Sequence, residues 1–253
     1  MNEFAFSKYQ GSGNDFVLID HRALPFSVDS KTIFNLCHRR YGIGADGLIL
    51  LCSSTKGDYA MRIFNSDGLE AEMCGNGLRC LVQFLIDLGE GKDSFLIETL
   101  KKIYLCTVKE TSISVDMGIP QIIEEGPSEM RLDVGVPHLV IFSEDLSQFD
   151  REAKKRFSHI GINLNYAKVS PFSNTIHMRT FERGVEEETF ACGTGATAVC
   201  MAAWKQFGLF GKIEVIFRSK ETLHFEVIQE NDCLKKIVMS GNAHHVFSGR
   251  VHA

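Results

Sequence analysis

The sequence predicts an α+β protein built as two similar domains by internal duplication. Three observations carry that prediction. The chain is 253 residues with 44% apolar and 23% charged residues, enough to close one large core or two ordinary ones. A Cys-Gly-x-Gly motif occurs twice, at Cys74 in EMCGNGLRC and at Cys192 in FACGTGATA, an offset of about 118 residues. Each motif is followed by a helix-patterned run and then by short β-patterned runs in the same order. A repeat of nearly half the chain is too long for a solenoid unit and suits two related domains.

The elements follow in order. GNDFVLI after Gly13 reads as a strand with a weak echo in GVPHLVI after Gly135. Thr32 to Arg40 reads as helix and the GLILL run from Gly47 as strand. Between them Gly42 to Gly47 satisfies G-x-G-x-x-G, but the helix-to-strand order is the reverse of a dinucleotide-binding turn, so a tight loop is the better reading. MRIFNSDG from Met61 parallels MRTFERGV from Met178, each leading to its cysteine. Past Cys74, Leu78, Leu81, Val82 and Leu85 form one helical face, and Gly89 ends the run; past Cys192, Ala196, Val199, Cys200 and Ala203 do the same up to Gly208. Strand-like runs at Phe95 to Ile97, Ile103 to Cys106 and Ile113 to Met117 correspond to Ile213 to Phe217, Leu223 to Ile228 and Ile237 to Met239. No Pro-rich or Gly/Ser linker divides the halves, so closely packed domains with a cleft between them are expected.

Composition removes several function classes. The formal net charge is −5 and no basic cluster interrupts it, which disfavours a phosphate-binding surface and so nucleic acid as a partner. The apolar runs are far shorter than the roughly 20 residues of a membrane helix. MNEFAFSKYQ carries no basic region followed by an apolar stretch, so secretion is not indicated and a reducing, cytoplasmic setting is expected.

The eight cysteines are therefore read as thiols. No pair has zinc-ligand spacing and no His-x-x-x-His accompanies them, so no metal site is expected. Most should be buried and inert. Cys74 and Cys192 differ because each opens a helix, where unpaired N–H groups and the positive end of the dipole favour a thiolate. The glycines beside them would let the backbone approach a bound anion, such as a carboxylate. Other residues are more ambiguous. Asn14 in GSGND is either a ligand or an ordinary turn residue, and His138 after Pro137 either tunes a thiol or finishes a turn. Glu182-Arg183 matches Asn65-Ser66 in the first copy, and its place ten residues before Cys192 favours the cleft over a surface ion pair. Glu186 to Glu188 read most simply as solvated.

Taken together, GSGNDF, YGIGADG, MRIFNSDGLEAEMCGNGLRC, VDMG, FERGVEEETFACGTGATA and SGNAHHVF resemble the diaminopimelate epimerase family over nearly the whole chain. The doubled cysteine motif is shared with proline racemase-like proteins, but the intervening blocks are those of the epimerases. The resemblance implies two pseudo-symmetric domains, each a mostly antiparallel β-barrel-like sheet around a central helix. It places one domain at 1–117 with 241–253, carrying Cys74, and the other at 118–240, carrying Cys192. It also implies a homodimer, a place in lysine and peptidoglycan-precursor synthesis, and conversion of LL- to meso-diaminopimelate without pyridoxal phosphate or another cofactor.

Chemistry and resemblance agree at the site. Inverting an α-carbon takes one acid/base group on each face, and Cys74 and Cys192 supply two. The N-terminal amides around Gly75, Asn76, Gly193 and Thr194 would stabilise charge delocalised into the substrate carboxylate. By resemblance, Asn14, Asn65, Asn163, Glu182 and Arg183 bind substrate, while His138 and Glu182 tune the thiols. Gly47 stands where some relatives carry glutamine. Val136 stands in VGVPH where the family usually reads Gly-Asn-Pro-His, so an amide for the distal end of the substrate is missing and turnover of other acidic amino acids is expected. The alternatives are a racemase or epimerase of another amino acid, or a thiol redox protein in which Cys74 and Cys192 pair.

Overall fold

A computed structural model describes residues 3–23, 28–110, 112–147, 161–183 and 187–252, with Glu187 described by its backbone alone. The chain divides into two units, Met1–Val115 with Gly241–Ala253, and Asp116–Ser240. Among the described residues no helix is long and apolar enough to cross a membrane.

In the first unit β1 (Glu3–Gly11), β2 (Asn14–Asp20), α1 (Ser30–Cys37), β3 (Gly47–Ser53), β4 (Tyr59–Asn65), β5 (Glu70–Ala71), α2 (Gly75–Asp87), β6 (Ser94–Glu98), β7 (Ile103–Lys109) and β8 (Ser112–Gly118) follow in sequence. The sheet runs β1-β2-β3-β4-β6-β7-β8 and is antiparallel except at β2/β3 and β4/β6. The outer edge of β1 is covered by the C-terminal strand His244–His252, which pairs antiparallel with it from Glu3↔His252 to Gln10↔His244. This pairing returns the last residues of the chain to the first unit and closes an edge that would otherwise offer free N–H and C=O groups.

The second unit repeats the plan. It contains β9 (Gln121–Glu125), β10 (Glu129–Asp133), β11 (Pro137–Phe142), β12 (Asn163–Val169), β13 (Thr175–Glu182), β14 (Glu187–Glu188), α3 (Gly193–Phe207), β15 (Gly211–Phe217), β16 (Thr222–Glu230) and β17 (Cys233–Gly241). Its order is β9-β10-β11-β12-β13-β15-β16-β17, antiparallel except at β11/β12 and β13/β15. The parallel pairs fall at the same two places as in the first unit. Both cysteine helices follow a two-residue strand paired to the preceding long one. The fold is thus mostly antiparallel α+β in two units, as the duplicated sequence predicts.

The predicted helix faces are core. Leu78, Leu81, Val82 and Leu85 on α2 are fully buried, as are Ala196, Val199, Cys200 and Ala203 on α3. Full burial of one leucine contributes roughly 1.5–3 kcal/mol. The first three turns of α3 are buried all round, Gly193 through Ala203, and small side chains there let the strands approach closely. Gly208 ends α3 in the left-handed conformation, φ 67°, which spares a Cβ clash. Strand alternation is equally clear: Phe95 and Ile97 are buried while Leu96 is exposed.

One predicted boundary differs. The first helix stops at Cys37, short of Arg40, because His38 turns extended and its Nδ1 accepts the N–H groups of Arg40 and Tyr41, both at 3.1 Å. The chain then folds back on the helix end, Ile43 and Gly44 donating to the Leu36 carbonyl at 2.9 and 3.1 Å. A Cβ on Gly42 would lie 2.0 Å from the Asn35 carbonyl oxygen, so only glycine fits there. The glycine-rich segment is a tight helix-to-strand loop.

Candidate active site

Both motif cysteines are helix N-caps. Cys74 is extended (φ −144°, ψ 120°) and its Sγ accepts the Gly77 N–H at 3.4 Å; Cys192 (φ −126°, ψ 109°) accepts the Gly195 N–H at 3.3 Å. Each sulfur thus takes the place of the usual capping oxygen and satisfies one of the four unpaired amides of its helix. The remaining first-turn amides and the dipole favour negative charge at both positions.

The second glycine of each motif is closely surrounded. A Cβ on Gly77 would meet the Ile63 and Ile49 Cδ1 atoms at 3.0 and 3.1 Å, and one on Gly195 would lie 2.4 Å from Asn165 Oδ1. The second glycine of each motif therefore serves close packing of the helix start against its own unit. Beyond the caps the other thiols are ordinary. Burial pushes Cys37, Cys80 and Cys106 up to about 12, and Cys52 and Cys200 upward as well.

Around Cys74 the site is built by the β1–β2 hairpin. Ser12 and Gly13 are its two left-handed residues, φ 54° and 78°, so the turn is Ser-Gly and Asn14 begins β2 opposite Gly11. Asn14 is thus not itself the turn residue. The Cys74 thiol donates to Asn14 Oδ1 at 3.7 Å, while Asn14 Nδ2 donates to Asp46 Oδ2 at 2.7 Å, fixing which end of the amide faces the sulfur. Behind Asp46 lies an ion network: Arg39 bridges Asp46 at 2.6 Å and Asp15 at 2.8 Å, and Lys8, buried beside the Gly44 carbonyl, meets Asp15 at 2.8 Å. Burial works against charge on Asp15, but Arg39 and Lys8 prevail and hold its carboxyl down at about 2. Asn76 is buried in the first turn of α2, and Asn65 ends β4 half-buried.

Around Cys192 the second unit supplies different groups. Thr194 Oγ1 lies 3.4 Å from Cys192 Sγ, and both are nearly fully buried. Asn163 spends its amide on backbone, donating to the Pro137 carbonyl at 3.2 Å and accepting the Arg183 N–H at 2.9 Å, so it anchors the turn after β13. Glu182 closes β13 half-buried, and Arg183 follows it exposed. His138 is not a turn residue. It sits in β11 opposite Leu132 and Asn163, wholly buried, with Nδ1 3.1 Å from Asn165 Nδ2. Burial, with the Arg183 charge adding to it, pushes the imidazole down to about 3, so it is neutral at physiological pH.

Other expectations need correction or fall outside view. Glu188 is not simply solvated. Its carboxylate takes the Arg179 guanidinium in a two-bonded fork at 2.8 and 2.7 Å and also binds Arg218 at 2.8 Å, locking β13 to β14 just before the Cys192 motif. Glu186 lies outside the described residues. Sequence reasoning missed Asp46, Arg39 and Lys8 around Asn14, and Asn165 and Thr180 around His138. Asp46 lay in a segment read only as a glycine loop, and Asn165 is a lone polar residue at a strand position that faces the core.

With the geometry in place, comparison with known proteins is informative. The diaminopimelate epimerase family matches residues 6–123 and 130–246. The chain is 37% identical to the diaminopimelate epimerase of Archaeoglobus fulgidus, covering 97% of this chain and 95% of that one. Against the diaminopimelate epimerase of Flavobacterium psychrophilum it is 39% identical over 95% and 97%. Among solved structures it is similar to a PhzF-family phenazine biosynthesis protein of Bacillus anthracis, with a TM-score of 0.76, 16% identity and full coverage of both chains. A hydroxyproline epimerase from Agrobacterium vitis, with trans-4-hydroxy-L-proline bound, gives a TM-score of 0.75 at 10% identity over 98% and 92%. These two distant structures share the fold. The epimerase identities and the matched residues together establish that the chain belongs to the diaminopimelate epimerase family.

Proposed function

We propose that the protein interconverts LL- and meso-diaminopimelate by a two-base mechanism, with Cys74 and Cys192 as its acid/base pair. The observation that carries this reading is the pair of cysteine N-caps, one at each repeat of the same helix, in a chain of the epimerase family. One thiolate takes the α-proton and the other thiol returns a proton to the opposite face, and the roles exchange in the reverse direction. The α-carbanion delocalises into the adjacent carboxylate, which the first-turn amides at Gly75, Asn76, Gly193 and Thr194 stabilise. Each preorganised donor of this kind is worth roughly 2.7–4 kcal/mol of barrier. The chemistry needs no pyridoxal phosphate because the helix termini supply the electrostatic stabilisation.

The substrate's remaining charges fall to Asn14, Asn65, Asn163, Glu182 and Arg183, with the exposed guanidinium of Arg183 suited to a second carboxylate. His138 and Glu182 adjust the thiol environment. Val136 offers no amide at the distal end, so selectivity there is relaxed and shorter acidic amino acids are turned over slowly. The domains are 1–117 with 241–253 and 118–240, and the chain acts in the cytoplasm as a homodimer, which light scattering would read as twice the 28.3 kDa chain mass. Incubation of LL-diaminopimelate with the protein tests the activity: formation of the meso isomer supports it, and unchanged stereochemistry refutes it.

A further inference from the structure

We infer that Asn165 is a positioning residue for the Cys192 thiol: it holds His138 as the Nε2–H tautomer and seats the first turn of α3 at Gly195. The inference rests on the proposed role of Cys192 for its functional part, but the tautomer stands on hydrogen bonding alone. Asn165 is wholly buried on β12, and every polar atom of its side chain is engaged. Its Oδ1 accepts the Thr180 hydroxyl at 3.1 Å. Its Nδ2 faces the Leu139 carbonyl at 3.1 Å and the Asn163 carbonyl at 3.5 Å, oxygens that can only accept. The amide is therefore oriented with nitrogen towards His138, and that nitrogen lies 3.1 Å from Nδ1. A donor facing Nδ1 makes Nδ1 the acceptor, and a neutral imidazole then carries its proton on Nε2.

That Nε2 is buried and has no hydrogen-bond partner among the described residues. An unused buried N–H costs about 1–3 kcal/mol, so the ring is held in place by its Nδ1 side. The other face of Asn165 places this histidine one side chain away from the thiol. Oδ1 packs where a Gly195 Cβ would sit, at 2.4 Å, and the same position is 3.3 Å from Cys192 Sγ, whose cap is the Gly195 N–H. The assignment leaves the His138 proton on Nε2, and Asn165 joins that ring to the glycine whose N–H caps Cys192.

The test is nitrogen-15 NMR of the imidazole rings in the full-length protein at neutral pH, with the His138 signals identified by their loss in His138→Gln. The expected result is a protonated Nε2 and an unprotonated Nδ1. A proton on Nδ1 in the wild type would overturn the inference, whether or not the protein epimerises diaminopimelate. Asn165→Asp puts a carboxylate beside Nδ1 and should move the proton there, with a fall in kcat larger than any change in KM; an unchanged tautomer in a folded variant would also overturn it.

Discussion

Removing a single thiol isolates the chemistry from the fold, because Cys74 and Cys192 each contribute one N-cap bond while the helices are held by buried faces. Cys74→Ala and Cys192→Ala should each lower epimerisation by roughly 10²–10⁴-fold with thermal unfolding little changed; near-normal turnover in either contradicts a two-base reaction. Asp46→Ala tests the other half of the site. It frees the Asn14 amide to rotate away from the sulfur, and kcat/KM should fall by about 1–3 kcal/mol equivalent. An unchanged kcat/KM would remove Asp46 from the mechanism. His138 gives a pH signature in stability. Its folded pKa lies at about 3 against an unfolded value near 6.5, so the unfolded chain binds the extra proton between those limits. Stability should therefore decline as pH falls from about 6.5 towards 3, and His138→Gln should flatten the upper part of that decline. The Asp15 contribution is lost only lower, between the ordinary carboxylate range and about 2.

At the scale of elements, the two motif glycines predict unequal costs. Gly195→Ala drives a methyl to within 2.4 Å of Oδ1 of the buried Asn165, a side chain held through Oδ1 by Thr180 and through Nδ2 by His138, and should destabilise by about 1–3 kcal/mol. Gly77→Ala meets the ends of two isoleucine side chains at 3.0 and 3.1 Å, which can give way, so its effect on the unfolding midpoint should be smaller. The reverse order would show that the Asn165 seat does not constrain α3. These elements also show what a sequence makes legible. The apolar spacing of Leu78, Leu81, Val82 and Leu85 and the closing glycines are local, periodic signals, and the helices stand where they predict. The end of α1 was not readable, because it depends on His38 turning its ring back to two backbone amides. Asp46 and Asn165 were invisible for a related reason: their partners Asn14 and His138 lie 32 and 27 residues away, and no period links such pairs.

For the whole molecule, duplication is the property that joins sequence to function. Two units repeat one strand order, with parallel pairs at equivalent positions, yet surround their cysteines differently: an amide oxygen backed by ions at Cys74, and a threonine hydroxyl with a buried histidine network at Cys192. Substrate range is a separate whole-molecule property. Val136→Asn should raise the preference for diaminopimelate over a shorter dicarboxylic amino acid by about tenfold in kcat/KM, and an unchanged ratio would assign selectivity elsewhere. The central claim is tested most directly in heavy water with LL-diaminopimelate, stopping the reaction before equilibrium. The two-thiol account predicts deuterium at the inverted α-carbon of the meso product while the remaining LL substrate keeps its hydrogen; deuterium entering recovered LL substrate as fast as product, or product that retains its hydrogen, would contradict it.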